Sequence, residues 1–105
     1  MLLALLDDGV LQLYASPEAA VQDVEALDAE ETFRAVFDDT GQTYAIEWSR
    51  ANKGRWIVQN GEYRLVPTGV YDIQRLIQVI DENHPLEPEG SEAQVREIRR
   101  RLTAA

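Results

Sequence analysis

The sequence has no cysteine, one histidine and one lysine among its 105 residues. The absence of Cys excludes a disulfide framework, a thiolate nucleophile and any Cys-based zinc or iron–sulfur site. His84 stands alone, which excludes a multi-histidine metal site within one chain. Long apolar runs are missing as well. Met1–Leu6 is apolar for only six residues before Asp7-Asp8-Gly9, whereas a spanning helix needs about 20. A secretion signal would also need a cationic start and a longer apolar stretch. A cytoplasmic protein with no membrane contact is the expectation. The six glycines, Gly9, Gly41, Gly54, Gly61, Gly69 and Gly90, are all isolated. None forms a phosphate-cradling GxGxxG or Walker pattern, so no cofactor is expected.

What remains is an acidic globular chain. Its length predicts one domain, and its apolar content of 45% is ordinary for a packed core. Acids outnumber bases 19 to 10, giving a net charge of −9. The imbalance is local. Asp7, Asp8, Glu18, Asp23, Glu25, Asp28, Glu30 and Glu31 fall within residues 1–33, which contain no base. Arg50, Lys53, Arg55 and Arg64 reverse the sign later, and Arg96, Arg99, Arg100 and Arg101 close the chain after an acidic stretch from Asp81 to Glu92. Duplex binding is driven by phosphate neutralisation, so a nucleic-acid partner is not expected. A basic protein partner suits the acidic third, which also serves solubility.

The local pattern predicts an α+β fold of order ββαββββαα, a mainly antiparallel sheet with helices gathered on one face. Leu2–Leu6 and Val10–Tyr14 flank Asp7-Asp8-Gly9, a hairpin signal. Ser16-Pro17-Glu18 is helix-starting chemistry, and Ala20, Val24 and Leu27 fall on one helical stripe. Phe33, Ala35 and Phe37 alternate along a strand, Asp38-Asp39-Thr40-Gly41 turns, and Tyr44, Ile46 and Trp48 alternate again. Arg55–Gln59 and Glu62–Val66 form a second hairpin about Asn60-Gly61, ended by Pro67-Thr68-Gly69. A helix over Val70–Asn83 presents Ile73, Leu76, Ile77 and Ile80, and Pro85 stops it. Residues 1–84 are thus the core domain and 85–90 a linker. Residues 91–105 form a helix opened by a Ser91–Gln94 capping box, docked on the same domain or on a partner. The expected core is Leu13, Val24, Leu27, Phe33, Phe37, Ile46, Trp48, Val58, Leu65, Ile73, Leu76, Ile77 and Ile80.

Catalytic chemistry finds little footing. His84 sits at a helix end before Pro, a place suited to capping. The carboxylate pairs Asp7–Asp8, Glu30–Glu31, Asp38–Asp39 and Asp81–Glu82 are sequence neighbours, which in a strand point to opposite faces. Asp38-Asp39-Thr40-Gly41 lacks the spaced acids and terminal Glu of a calcium loop. No catalytic, cofactor-binding or metal residue is assigned, and a non-enzyme is expected. Tyr44, Trp48, Trp56 and Tyr63 have first the composition of a sheet core and, beside Arg55 and Arg64, secondly that of an interface hot spot. Glu30, Glu31, Asp38 and Asp39 are the densest acids beside a predicted sheet edge and are the candidate partner-binding residues.

The run from Leu11-Gln12-Leu13-Tyr14-Ala15-Ser16-Pro17-Glu18 into Leu27-Asp28-Ala29-Glu30-Glu31, followed by Asp38-Asp39-Thr40-Gly41 and Gly61-Glu62-Tyr63-Arg64-Leu65-Val66-Pro67, resembles small cytoplasmic immunity proteins encoded beside bacterial polymorphic toxins. The resemblance covers roughly residues 10–80 and lies in texture and order. It implies tight, specific binding of a cognate toxin domain, basic in charge, and carries no particular contact residue with it. A non-enzymatic adaptor that self-associates is the alternative. In that reading Val95, Ile98 and Leu102 pair across a two-fold axis, giving a homodimer through residues 91–105.

Overall fold

The computed structural model describes residues 1–50 and 61–104, Arg50 by its backbone only. The expected strand Arg55–Gln59, with Trp56 and Val58, and the turn residue Asn60 lie outside the described residues. In chain order the elements are β1 (Leu2–Leu6), β2 (Leu11–Tyr14), α1 (Pro17–Asp23), α2 (Ala29–Thr32), β3 (Phe33–Asp38), β4 (Gln42–Arg50), β5 (Glu62–Tyr71), α3 (Ile73–Asp81), β6 (Leu86–Glu87) and α4 (Glu92–Thr103). The strands form one sheet in the order β5-β4-β3-β1-β2-β6. All pairings are antiparallel except β2 with β6. The α+β class and the mainly antiparallel sheet are those the pattern predicts.

β1 explains the layering. Leu2, Leu3, Ala4 and Leu5 are all buried, so the strand is apolar on both sides. A strand covered on two faces reads as a continuous apolar run, and each face then needs its own cover. Leu2 and Ala4 join Ala20 and Val24 at α1, Ala29 of α2 and Tyr63 and Leu65 of β5 in one cluster. Leu3 and Leu5 join Leu76 and Val79 of α3 and Val95 and Ile98 of α4 in another. The helices, expected mainly on one face, therefore divide between two. Each fully buried Leu contributes about 2 kcal/mol of transfer free energy.

Local chemistry sets the boundaries. Gly9 takes φ +84° between β1 and β2, closed by the Leu6 amide donating to the Val10 carbonyl at 2.8 Å. Pro17 opens α1, and the Ala19 amide donates to Ser16 Oγ at 3.1 Å. α1 ends at Asp23, so Leu27 leaves the stripe it was expected to share and is 46% exposed. β5 continues past Pro67, since a bulge inserts extra residues between the pairs Tyr44↔Pro67 and Gln42↔Tyr71. Val70 and Tyr71 are thus strand residues, and α3 starts only at Ile73, with Asp72 Oδ1 accepting from the Arg75 amide. Ile73 is 39% exposed and Leu76 and Val79 are the fully buried residues of α3, which displaces the expected core face by a few residues. Phe33, Ile46 and Trp48 pack on the first cluster while only partly buried. Ile77 is likewise partly buried, and Ile80 packs on the second cluster. Ser91 precedes α4 but makes no side-chain cap bond; its hydroxyl is buried in place of the expected capping box.

Candidate protein-interaction face

α1 and α2 form the outer layer over the first cluster, held there by buried alanines and by hydrogen bonds. Ala20 and Ala29 are fully buried on the sheet side. The Tyr14 hydroxyl donates to Asp23 Oδ2 at 2.6 Å, and the Tyr63 hydroxyl donates to the Val24 carbonyl at 2.5 Å. Burial, then the Asp23 carboxylate, pushes the Tyr14 phenol well above its ordinary pKa; burial raises Tyr63 likewise. The Asp7 amide donates to the Thr32 carbonyl at the end of α2. Small buried alanines and two neutral tyrosines therefore fix the position of a layer whose outer side is free to be polar.

The segment from α1 through α2 carries one sign of charge. Glu18, Asp23, Glu25, Asp28, Glu30 and Glu31 are all exposed. Among the described residues, none of these six carboxylates is ion-paired. Leu27 projects from the α1–α2 connection between Glu25 and Asp28. An exposed apolar side chain flanked along the chain by carboxylates has the make-up of an interface anchor with a charged rim.

The four acids singled out from sequence separate into two places. Glu30 and Glu31 belong to this face. Asp38 and Asp39 stand at the far end of β3, some 17 Å of strand away. Asp38 organises its turn, accepting from the Thr40 amide and hydroxyl and from the Gln42 amide at 2.5–3.1 Å. Burial raises its pKa, but the bonds from Thr40 and Gln42 outweigh it and hold the carboxyl below the ordinary range. Asp39 lies 3.6 Å from Arg101 of α4. Glu30 and Glu31 therefore sit on α2, apart from the second pair at the far end of β3.

The aromatic residues also sort by face. The rings of Trp48 and Tyr63 lie 5.6 Å apart at a tilt of 52° and, with Tyr44, pack toward the first cluster. Arg64 alternates to the opposite side of β5, where it is ion-paired with Glu47, so it does not flank the rings. Among the depressions that border the layer, two flank its sheet side. One, of about 210 Å³, lies where β3 and β4 part, lined by Glu30, Arg34, Tyr44 and Ile46. β3 and β4 are paired only at Phe37↔Thr43, and Arg34 falls in a register shift against β1. The other, of about 270 Å³, runs between α1 and β5 over Val21, Tyr63 and Leu65. Sequence reading passed over both, and over Leu27. A cue for Leu27 was present in Asp28-Ala29-Glu30-Glu31, where Asp followed by acids marks a new helix start and hence a break just before it.

Among the described residues, no three His, Cys, Asp or Glu side chains converge as metal ligands, and no helix is long and apolar enough to cross a membrane. Comparison with protein-family models finds no match, and neither curated proteins nor solved structures yield one.

Proposed function

We propose that this chain is an immunity-type inhibitor, acting in the cytoplasm by binding and neutralising a cognate toxin domain of basic surface. The observation that carries the reading is the α1–α2 segment, with exposed Leu27 between exposed Glu25 and Asp28 in a third of the chain that has no cation. Such a segment accelerates encounter with a basic surface by electrostatic steering, while a buried apolar anchor slows dissociation. The order of features shared with immunity proteins adds a biological setting to that physics. On α4, Val95 and Ile98 are already buried against α3 and the sheet, so the stripe invoked for self-association is engaged within the chain.

The test is co-expression with the gene neighbouring this one in its source genome. Cells killed by the neighbour alone should survive when this chain is present, and the two proteins should elute together in equal amounts. A neighbour that is harmless, or lethal with and without this chain, removes the reading.

A further inference from the structure

We infer that the cleft where β3 and β4 part binds a small zwitterion with an apolar body, an aliphatic α-amino acid. Its carboxylate meets Arg34 and its ammonium group meets Glu30. This site goes beyond the inhibitor reading and does not depend on it.

The cleft is a product of register. Among the described residues β3 and β4 pair only at Phe37↔Thr43, and the shift between Leu5 and Leu6 leaves Arg34 as the extra residue against β1. A bulge of this kind bends its strand and re-aims a side chain. Beyond Phe37↔Thr43 the parted strands border a space of about 210 Å³. Some ~150 Å³ already admits a benzene-sized guest, whereas drug-sized ligands occupy roughly 300–1,000 Å³. The cleft therefore suits a ligand of a few heavy atoms.

Its lining separates by polarity. Val36 and Leu65 are buried and Phe33 and Ile46 half-buried, which makes an uncharged floor. Three polar side chains border that floor, and one is engaged elsewhere: the Tyr44 hydroxyl donates to Asp38 Oδ2 at 3.5 Å. Glu30 accepts from the Trp48 indole through Oε1 at 3.0 Å, and its Oε2 has no partner among the described residues. Arg34 is exposed and forms no ion pair among the described residues. Arg64, Arg99, Arg100 and Arg101 each have an acid partner. Glu30 and Arg34 thus border one cleft without pairing with each other.

Charge selects the occupant. A fixed anion and a fixed cation held apart over an apolar floor match a ligand with both charges at one end and hydrocarbon at the other. A plain carboxylate would leave Glu30 facing a like charge, and a plain amine would do the same to Arg34. In an amino acid the carboxylate takes the guanidinium fork, and the ammonium group donates to Glu30 Oε2.

The probe is leucine, titrated into the full-length, nitrogen-15-labelled protein. Amide shifts should concentrate on Phe33–Val36 and Tyr44–Ile46, with a dissociation constant of roughly 1 mM, as befits an open site and one aliphatic side chain. Glycine keeps both charges and lacks the side chain; leucine amide lacks the carboxylate; isocaproate lacks the ammonium group. Each should bind at least about tenfold more weakly. Arg34→Gln should weaken leucine about tenfold and leave the affinity for leucine amide unchanged. Glu30→Gln keeps an acceptor for Trp48, and so the fold, and should weaken leucine while leaving isocaproate no weaker. Equal binding of leucine, its amide and isocaproate overturns the inference and makes the cleft a mere apolar hollow. Silence of the Phe33–Val36 and Tyr44–Ile46 amides at tens of millimolar leucine overturns it as well.

Discussion

The indole Nε1 of Trp48 donates a 3.0 Å hydrogen bond to Glu30 Oε1, tying α2 to β4. The bond spans the region where β3 and β4 have parted beyond Phe37↔Thr43, so a side chain joins what the backbone ladder leaves open. Glu30 is therefore both a member of the acidic face and a brace within the fold. Glu30→Ala should cost up to about 1 kcal/mol and alter the Trp48 fluorescence, while Glu30→Gln, which keeps an acceptor, should restore both. Denaturant titration followed by fluorescence distinguishes them.

This double role makes Glu31 the cleaner probe of binding. Glu31 is exposed and has no ion-pair partner among the described residues. Glu31→Lys should slow association with the cognate partner at low salt, with the difference shrinking as salt rises. Leu27→Ala should change stability by no more than about 0.5 kcal/mol, because the side chain is solvent-facing. It should instead speed dissociation about tenfold, the loss of an interface anchor worth 1–2 kcal/mol. Surface plasmon resonance with the captured partner reads both rates; unchanged dissociation would move the anchor elsewhere.

Gly41 and Gly9 separate two reasons for glycine. Both have positive φ, +90° and +84°. A Cβ on Gly41 would lie 2.7 Å from Ile73 Cγ1 at the start of α3, whereas one on Gly9 meets nothing within 4 Å. Gly9→Ala should cost about 1 kcal/mol of backbone strain. Gly41→Ala should cost more, about 2–3 kcal/mol, because steric conflict is added. Thermal unfolding of the two variants checks the order.

Acid stability should depend on Asp38. Its folded-state pKa lies below its value in the unfolded chain, where carboxylates titrate near about 3.9. Its contribution is complete above roughly pH 5 and is lost as pH falls through the folded-state value. Asp38→Asn should therefore lower the melting temperature at pH 6, and the gap to the parent protein should narrow toward pH 2.5. A gap independent of pH would assign the effect to the turn's shape and not to its charge.

Ile98 is 1% exposed within the second cluster. Ile98→Ala should cost about 2–5 kcal/mol, a cavity penalty at a site that two helices and the sheet enclose. Light scattering on the same variant should show no change in mass if α4 acts only within its own chain.

Elements defined by local chemistry were legible in the sequence. The Asp7-Asp8-Gly9 hairpin, the Ser16-Pro17 helix start and the alternation of Tyr44, Ile46 and Trp48 are all where the pattern puts them. What failed depended on where a helix stops. α1 ends at Asp23 with no Gly or Pro to announce it, and one lost turn moved Leu27 from core to surface. Bulges hid in the same way. Pro67 and Gly69 read as a strand end, but a bulge accommodates both and the strand continues to Tyr71. Of the four acids that charge density singles out, Glu30 and Glu31 lie on α2, but sequence proximity could not tell that β3 places Asp38 and Asp39 at its other end.

β1 faces both apolar clusters, Leu2 and Ala4 to one and Leu3 and Leu5 to the other. Two cores that share a strand are denied the independence that separate foldons enjoy. If α3 and α4 lift away, the strand that supports α1 and α2 is stripped on its reverse side. During synthesis the asymmetry has a time order. The cover for Leu2 and Ala4 lies within residues 17–65, but that for Leu3 and Leu5 waits for residues 73–103. A nascent chain thus carries a half-dressed sheet until its last helices emerge, and Leu3, Leu5, Leu11 and Leu13 are the surface a chaperone would meet.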